Sequence, residues 1–111
     1  MLGVFAFIAS CADPHMELTG SVHEANGTPV SGATVLTECP PANDTYGDLS
    51  TETATNGSFS VEGLGSVNRD CSLEVIVPVS PARVYRYRAL DFCVDHDEVS
   101  CTELNARITL P

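Results

Sequence analysis

The sequence contains no lysine and no tryptophan, and basic residues of any kind are few. Fifteen acidic residues stand against five basic ones, which gives a formal net charge of −10. All five basic residues are arginines, at Arg69, Arg83, Arg86, Arg88 and Arg107. An excess of negative charge repels phosphate backbones, so the composition disfavours nucleic acid as a partner.

The chain also lacks an apolar run long enough to cross a bilayer. The run over residues 1–10 is uncharged and apolar almost throughout. As a helix it would rise only about 15 Å, which is half of a bilayer core. A run of this length and composition is typical of the central region of an export signal. We therefore predict a signal peptide over residues 1–10.

The end of this run carries a motif with a specific chemistry. Ile8, Ala9, Ser10 and Cys11 resemble the lipobox of bacterial lipoproteins, in which the cysteine sulfur receives a diacylglycerol and the freed amine is acylated. The resemblance implies a lipid on Cys11, a lipidated linker over residues 11–16, and a place in the bacterial cell envelope. The residue after the cysteine is Ala12 rather than aspartate, which favours the outer membrane. The alternative for the whole segment is an ordinary apolar strand with a chance cysteine.

Without Cys11 the cysteines form an even set, namely Cys39, Cys71, Cys93 and Cys101. Four cysteines allow three pairings. No C-x-x-C pair is present, which disfavours a zinc site and a catalytic redox site, and an exported protein meets an oxidising compartment. We favour Cys93–Cys101 as a clamp around a short acidic loop. The longer pair is then Cys39–Cys71, because one residue closes a predicted strand and the other opens one.

No amphipathic helical stretch of useful length is present, and from Glu17 onward apolar and polar residues alternate with period two. Turn residues interrupt the alternation at short intervals. The predicted strands are Leu18–Glu24, Ala33–Cys39, Thr51–Thr55, Ser58–Glu62, Cys71–Val77, Val84–Cys93 and Leu104–Leu110. The third and fourth are predicted to form a hairpin around Asn56 and Gly57. The pattern predicts an all-β domain over residues 17–111, a seven-stranded antiparallel Greek-key β-sandwich.

Two stretches between Gly20 and Leu64 carry a resemblance to a known family. The first is Gly20-Ser21-Val22 with Asn26-Gly27-Thr28-Pro29-Val30 and Gly32-Ala33-Thr34-Val35, and the second is Thr53-Ala54-Thr55-Asn56-Gly57-Ser58-Phe59-Ser60-Val61 with Leu64. Together they resemble carboxypeptidase regulatory-like domains. That family implies a transthyretin-like or prealbumin-like sandwich that serves as a structural or adhesive accessory, with catalysis in a separate domain. We therefore expect a non-catalytic module that binds membrane through its lipid and contacts cell-envelope proteins or glycans.

A possible ligand face follows from the sixth predicted strand, where Tyr85 and Tyr87 alternate with Arg86 and Arg88. Aromatic rings stack on sugars, so a carbohydrate-binding module is the alternative function. The other interpretation places the tyrosines inward and pairs the arginines with acids across the sheet. We favour this second interpretation because tryptophan, the usual sugar platform, is absent.

Metal and catalytic signals are weak. Oxygen ligands for calcium could come from Asp91, Asp95, Asp97 and Glu98. Their spacing lacks the EF-hand order, which favours a solvated acidic loop. The histidines are His15, His23 and His96, and no G-x-S-x-G motif accompanies them. We therefore predict no enzyme, no cofactor and no required metal.

Overall fold

The computed structural model describes residues 15–40, 48–94 and 100–111. These residues form two β-sheets, one of three strands and one of four, and a single short 3-10 helix. One cluster of buried side chains, drawn from both sheets, lies between them. The predicted all-β, sandwich-like class is therefore confirmed.

The strands fall close to the predicted positions, with differences at their ends. Their bounds are β1 His15–His23, β2 Thr34–Glu38, β3 Ser50–Glu52, β4 Ser58–Leu64, β5 Ser72–Val77, β6 Arg83–Arg88 and β7 Glu103–Thr109. The 3-10 helix η1 covers Ala89–Phe92, directly after β6. The predicted strand over 84–93 therefore stops at Arg88. Its alternation ends there, because the apolar residues Ala89 and Leu90 follow one another.

Strand pairing departs from a wholly antiparallel sandwich. In the three-stranded sheet β1 lies between β4 and β7. It runs antiparallel to β4, with Leu18 opposite Val61, and parallel to β7, with Leu18 opposite Leu104. The antiparallel prediction is wrong for this second pair. Side-chain alternation is the same in both pairing directions, so the sequence pattern could not distinguish them.

The four-stranded sheet has the order β3-β2-β5-β6, and each neighbouring pair is antiparallel. The predicted hairpin around Asn56 and Gly57 is wrong, because the strands before and after this turn do not pair with each other. The turn itself is present, because the Gly57 N–H donates to the Ala54 carbonyl at 2.8 Å and Gly57 has a φ of +83°. However, β3 belongs to one sheet and β4 to the other. The turn therefore carries the chain between the two layers.

The core side chains come from alternate strand positions, as the period-two pattern predicted. Those contributed by β1, β5 and β7 are Met16, Leu18, Val22, Leu73, Val75, Val77, Leu104, Ala106 and Ile108. Phe59 of β4 is 6% exposed and lies in the same cluster. Met16 is wholly buried although the sequence placed it in a linker. The alternation of β1 thus begins before Glu17, at His15.

Both disulfide pairings are those that the sequence favoured. Cys39 follows β2 and Cys71 precedes β5, and their bond joins the ends of these neighbouring strands with a Cα–Cα distance of 4.2 Å. The Cys93–Cys101 bond joins the end of η1 to the segment that leads into β7, with a Cα–Cα distance of 6.0 Å. Two disulfides in a chain of this size indicate an oxidising, extracytoplasmic environment.

Candidate functional site

Strand β6 forms one edge of the four-stranded sheet. In the described part of the chain it pairs with β5 alone. Its sequence, RVYRYR, holds three of the five arginines and no acidic residue. We call the side of this strand that faces away from β5 the β6 edge. Its residues are Val84, Arg86 and Arg88.

The main-chain N–H and C=O groups of the β6 edge are directed away from the neighbouring strand β5. The Ala89 N–H donates to the Cys71 carbonyl at 3.1 Å, in continuation of the register that places Ser72 opposite Arg88. Hydrogen-bonded and non-hydrogen-bonded positions alternate along an antiparallel pair. The main-chain groups of Val84, Arg86 and Arg88 therefore face away from β5. A strand edge of this kind offers N–H and C=O groups to another strand.

The side chains of β6 are divided between two faces. Tyr85 and Tyr87 are half-buried and pack against the core, whereas Val84, Arg86 and Arg88 are exposed. The four residues expected to form one ligand face are thus separated into an inner pair and an outer pair. The favoured interpretation, with the tyrosines inward, agrees with this placement.

Arg86 is held against the sheet by Glu74, the residue directly opposite it on β5. Glu74 is only 9% exposed. The Arg86 Nε donates to Glu74 Oε2 at 2.9 Å, and Nη2 donates to the same oxygen. This hydrogen bonding raises the pKa of Arg86, and the attraction between the two charges adds to the effect. The cation is therefore fixed beside the open edge.

Arg83 is the first residue of the same strand and lies on its inner face, with Tyr85 and Tyr87. Its Nη2 donates to both carboxylate oxygens of Glu24, at 3.1 and 2.9 Å. Its guanidinium carbon lies 5.6 Å from the centre of the Tyr85 ring, within the range of a cation–π contact. Sequence reasoning did not select Arg83, although it stands two residues before Tyr85 in the same alternation.

Tyr87 lies on the same inner face, near the other end of β6. Its ring meets Phe92 of η1 edge-on, with 5.8 Å between the ring centres. Partial burial raises the pKa of Tyr87, and the neighbouring Tyr85 adds to the shift. The ring is thus a packing element that stabilises β6 rather than an exposed platform.

A second surface lies on the outward face of the three-stranded sheet, where an open groove has a volume of about 710 Å³. Hydroxyl, amide and guanidinium groups from all three strands line it: Thr19, Ser21, Ser58, Ser60, Asn105 and Arg107. Its other wall comes from β3 of the four-stranded sheet and the turn after it, with Thr51, the Glu52 carboxylate and Ala54. Phe59 also lines the groove, but its ring belongs to the core. The groove can form hydrogen bonds to a polar ligand, and the described residues that line it offer no exposed aromatic surface.

The remaining candidates from the sequence are only partly covered by the structure. Asp91 is exposed within η1. His15 and His23 stand at the two ends of β1, on its outward face. The other residues lie outside the described part of the chain: Cys11, Asp95, His96, Asp97 and Glu98.

Within residues 15–40, 48–94 and 100–111, none of the helical structure is long and apolar enough to span a membrane. No protein-family model matches the chain, and no curated protein sequence matches it.

Proposed function

We propose that this chain is a non-catalytic extracytoplasmic β-sandwich module, anchored to a bacterial envelope membrane by a lipid on Cys11, that binds other proteins. The two disulfides support its export into an oxidising compartment. The motifs between Gly20 and Leu64 support a transthyretin-like Greek-key module of the carboxypeptidase regulatory-like type. Such a module would display a binding surface and leave chemistry to other proteins.

The observation that carries the binding role is the open, arginine-bearing β6 edge. A partner segment in extended conformation would add a strand there, through hydrogen bonds to its main chain. Outside β6 the chain has fifteen acidic residues and only two arginines. Arg86 of the β6 edge is paired with Glu74, so among the described residues Arg88 is the cation of this edge that has no ion-pair partner. Charge complementarity favours a partner strand with acidic side chains on its exposed face.

An NMR titration of the ¹⁵N-labelled full chain tests this role. The probe is an extended peptide of about six residues in which Glu alternates with Thr or Val. We expect shifts centred on the amides of Val84, Arg86 and Arg88, and weaker binding as salt is raised. A peptide with Lys in place of Glu is expected to bind far less.

Two variants locate the binding. Val84→Pro removes an edge N–H at a position where an edge strand tolerates proline. Arg88→Glu reverses one charge on the β6 edge, and Arg69→Glu makes the same change in an exposed loop. We expect V84P and R88E to abolish binding and R69E to leave it. If the acidic peptide shifts other surfaces, or if R69E matches R88E, the proposed role of the β6 edge is wrong.

The groove on the three-stranded sheet favours carbohydrate binding as a second candidate function. Its hydroxyl and amide groups can replace the water around a sugar, although the described lining residues include no exposed ring for stacking. A glycan array separates the candidates. Binding lost in Asn105→Ala would support the groove, and binding lost in Tyr85→Ala with Tyr87→Ala would support the tyrosines instead. An array without signal for the native chain would contradict this second function.

A further inference from the structure

An imidazole and two carboxylates converge at the end of the three-stranded sheet where β1 begins. His15 and Glu17 are two residues apart on β1 and share its outward face, and Glu62 lies opposite Glu17 on β4. One ligand atom from each residue lies within 4.8 Å of the other two. His15 Nε2 is 3.4 Å from Glu62 Oε2.

These distances suit a borderline divalent metal ion. In tetrahedral zinc sites, bonds of 2.0–2.2 Å place neighbouring ligand atoms about 3.4 Å apart. The His15–Glu62 separation already has this value, and small side-chain rotations would bring Glu17 to the same distance. One nitrogen and two oxygen ligands favour zinc over calcium and magnesium, which prefer oxygen ligands alone.

The charge pattern around the cluster also favours a cation. Glu17 faces Glu62 on one side and Glu103 of β7 on the other, so three carboxylates form a row across the sheet. Like charges directly opposite one another destabilise a sheet. The backbone pairing of β1 with both neighbours nevertheless fixes this row. A cation bound to Glu17 and Glu62 would remove most of the repulsion.

We propose that His15, Glu17 and Glu62 form a binding site for Zn²⁺ on the outer face of the sandwich, with water completing the coordination. The three side chains are exposed, so the ion is exchangeable. The site is separate from the β6 edge, which belongs to the other sheet. Zinc binding at this place is thus independent of the proposed interaction with other proteins.

Calorimetric titration of the untagged, oxidised full chain with zinc chloride tests the site. We expect one ion per chain. Loss of an orienting residue around a metal typically costs at least about tenfold in affinity, and loss of a ligand should cost no less. His15→Gln and Glu62→Gln are therefore expected to weaken zinc binding by about tenfold or more. Cobalt added in place of zinc should give a visible absorption spectrum that both variants lose.

Matched controls separate a metal site from general attraction to acidic groups. Glu103→Gln removes the other carboxylate beside Glu17, and His23→Gln removes the histidine at the far end of the same strand. We expect each to change zinc affinity by less than about threefold, as for a screened surface charge. No zinc binding, an unaffected H15Q variant, or equal losses in E103Q and E62Q would each overturn the proposal.

A stability measurement gives a second readout. Without metal, E62Q and E103Q should both melt at or above the temperature of the native chain, because each relieves repulsion in the row. With zinc, the native chain and E103Q should gain stability and E62Q should not. An E62Q variant that zinc stabilises as much as the native chain would also overturn the site.

Discussion

Gly20 lies on the central strand of the three-stranded sheet, at a position with no room for a side chain. It pairs with Phe59 on one side and with Ala106 on the other. A Cβ atom there would lie 2.0 Å from the carbonyl oxygen of Ala106 and 2.8 Å from the Phe59 ring. Only glycine therefore allows β7 and the Phe59 ring to keep their places.

We predict that Gly20→Ala lowers the free energy of unfolding by about 3 kcal/mol, at the upper end for overpacking, because the obstacle is backbone. Gly63→Ala is the matched control. Its Cβ would meet only the flexible end of Leu49, at 2.8 Å, so we expect about 1 kcal/mol or less. Urea unfolding followed by circular dichroism measures both. Equal losses in the two variants would contradict the packing at Gly20.

The contact between Glu74 and Arg86 predicts unequal roles for two neighbouring arginines. Arg86→Met leaves the nearly buried Glu74 carboxylate without this partner, whereas Arg88→Met removes an exposed cation of the same strand. We expect the urea midpoint to fall more in R86M than in R88M. Changing Glu74 to Met as well should recover part of the loss. If R88M is as damaging as R86M, the pairing contributes no specific stability.

Tyr87 predicts a loss of stability in alkali. Burial raises the pKa of Tyr87 above that of an exposed tyrosine, so the folded state holds the phenolic proton more tightly than the unfolded state. The contribution is complete below about pH 10 and is lost as the pH rises through the folded pKa. Unfolding midpoints measured from about pH 9 to about pH 11 should therefore fall less steeply for Tyr87→Phe than for the native chain. Equal pH dependence of the unfolding midpoint in the two proteins would contradict the raised pKa of Tyr87.

At the scale of elements, the two disulfides close loops of different length. Their sequence separations are 32 for Cys39–Cys71 and 8 for Cys93–Cys101. Loop-closure entropy in the unfolded chain gives about 4 kcal/mol for the first and about 2.5 kcal/mol for the second. We predict that replacing both residues of the longer pair by Ala destabilises the protein more than the same change in the shorter pair. Thermal unfolding of the two double variants measures this difference. A larger loss of stability without the Cys93–Cys101 bond would contradict the prediction.

Alternation in the sequence was sufficient to predict where most strand residues lie and which faces point inward, but not the 3-10 helix after β6 or the buried position of Met16. Leu104, Ala106 and Ile108 of β7 face the core as predicted, and Phe59 fills the interior beside Gly20. These features depend on local period, which the sequence displays directly. The disulfide pairs were also predictable, since they follow from where the strands end.

Strand pairing was not predictable in the same way. The parallel contact of β1 with β7 joins residues from opposite ends of the described chain, and nothing local marks it. For the same reason, the turn at Asn56 and Gly57 was predicted as a hairpin, although it links two sheets. The role of β6 as an edge also depends on sheet order, which the sequence does not display. The separate faces of Tyr85 and Arg86 follow from alternation instead, and the favoured interpretation placed the tyrosine inward.

At the scale of the whole molecule, the two main features are the acidic net charge and the two disulfides. A net charge of −10 makes copies of this chain repel one another, while β6 gathers three of its five arginines on one strand. Two disulfides stabilise a domain whose core is small. The disulfides indicate a domain that works in an oxidising compartment outside the cytoplasm.

The most direct test of this account is the intact mass of the native protein, isolated from the membranes of the organism that makes it. We predict a chain that begins at Cys11, carries the added mass of its acyl groups, and lacks the four hydrogens that two disulfides remove. Reduction should restore those hydrogens and leave the lipid in place. A native protein that begins before Cys11 and carries no lipid would contradict the account.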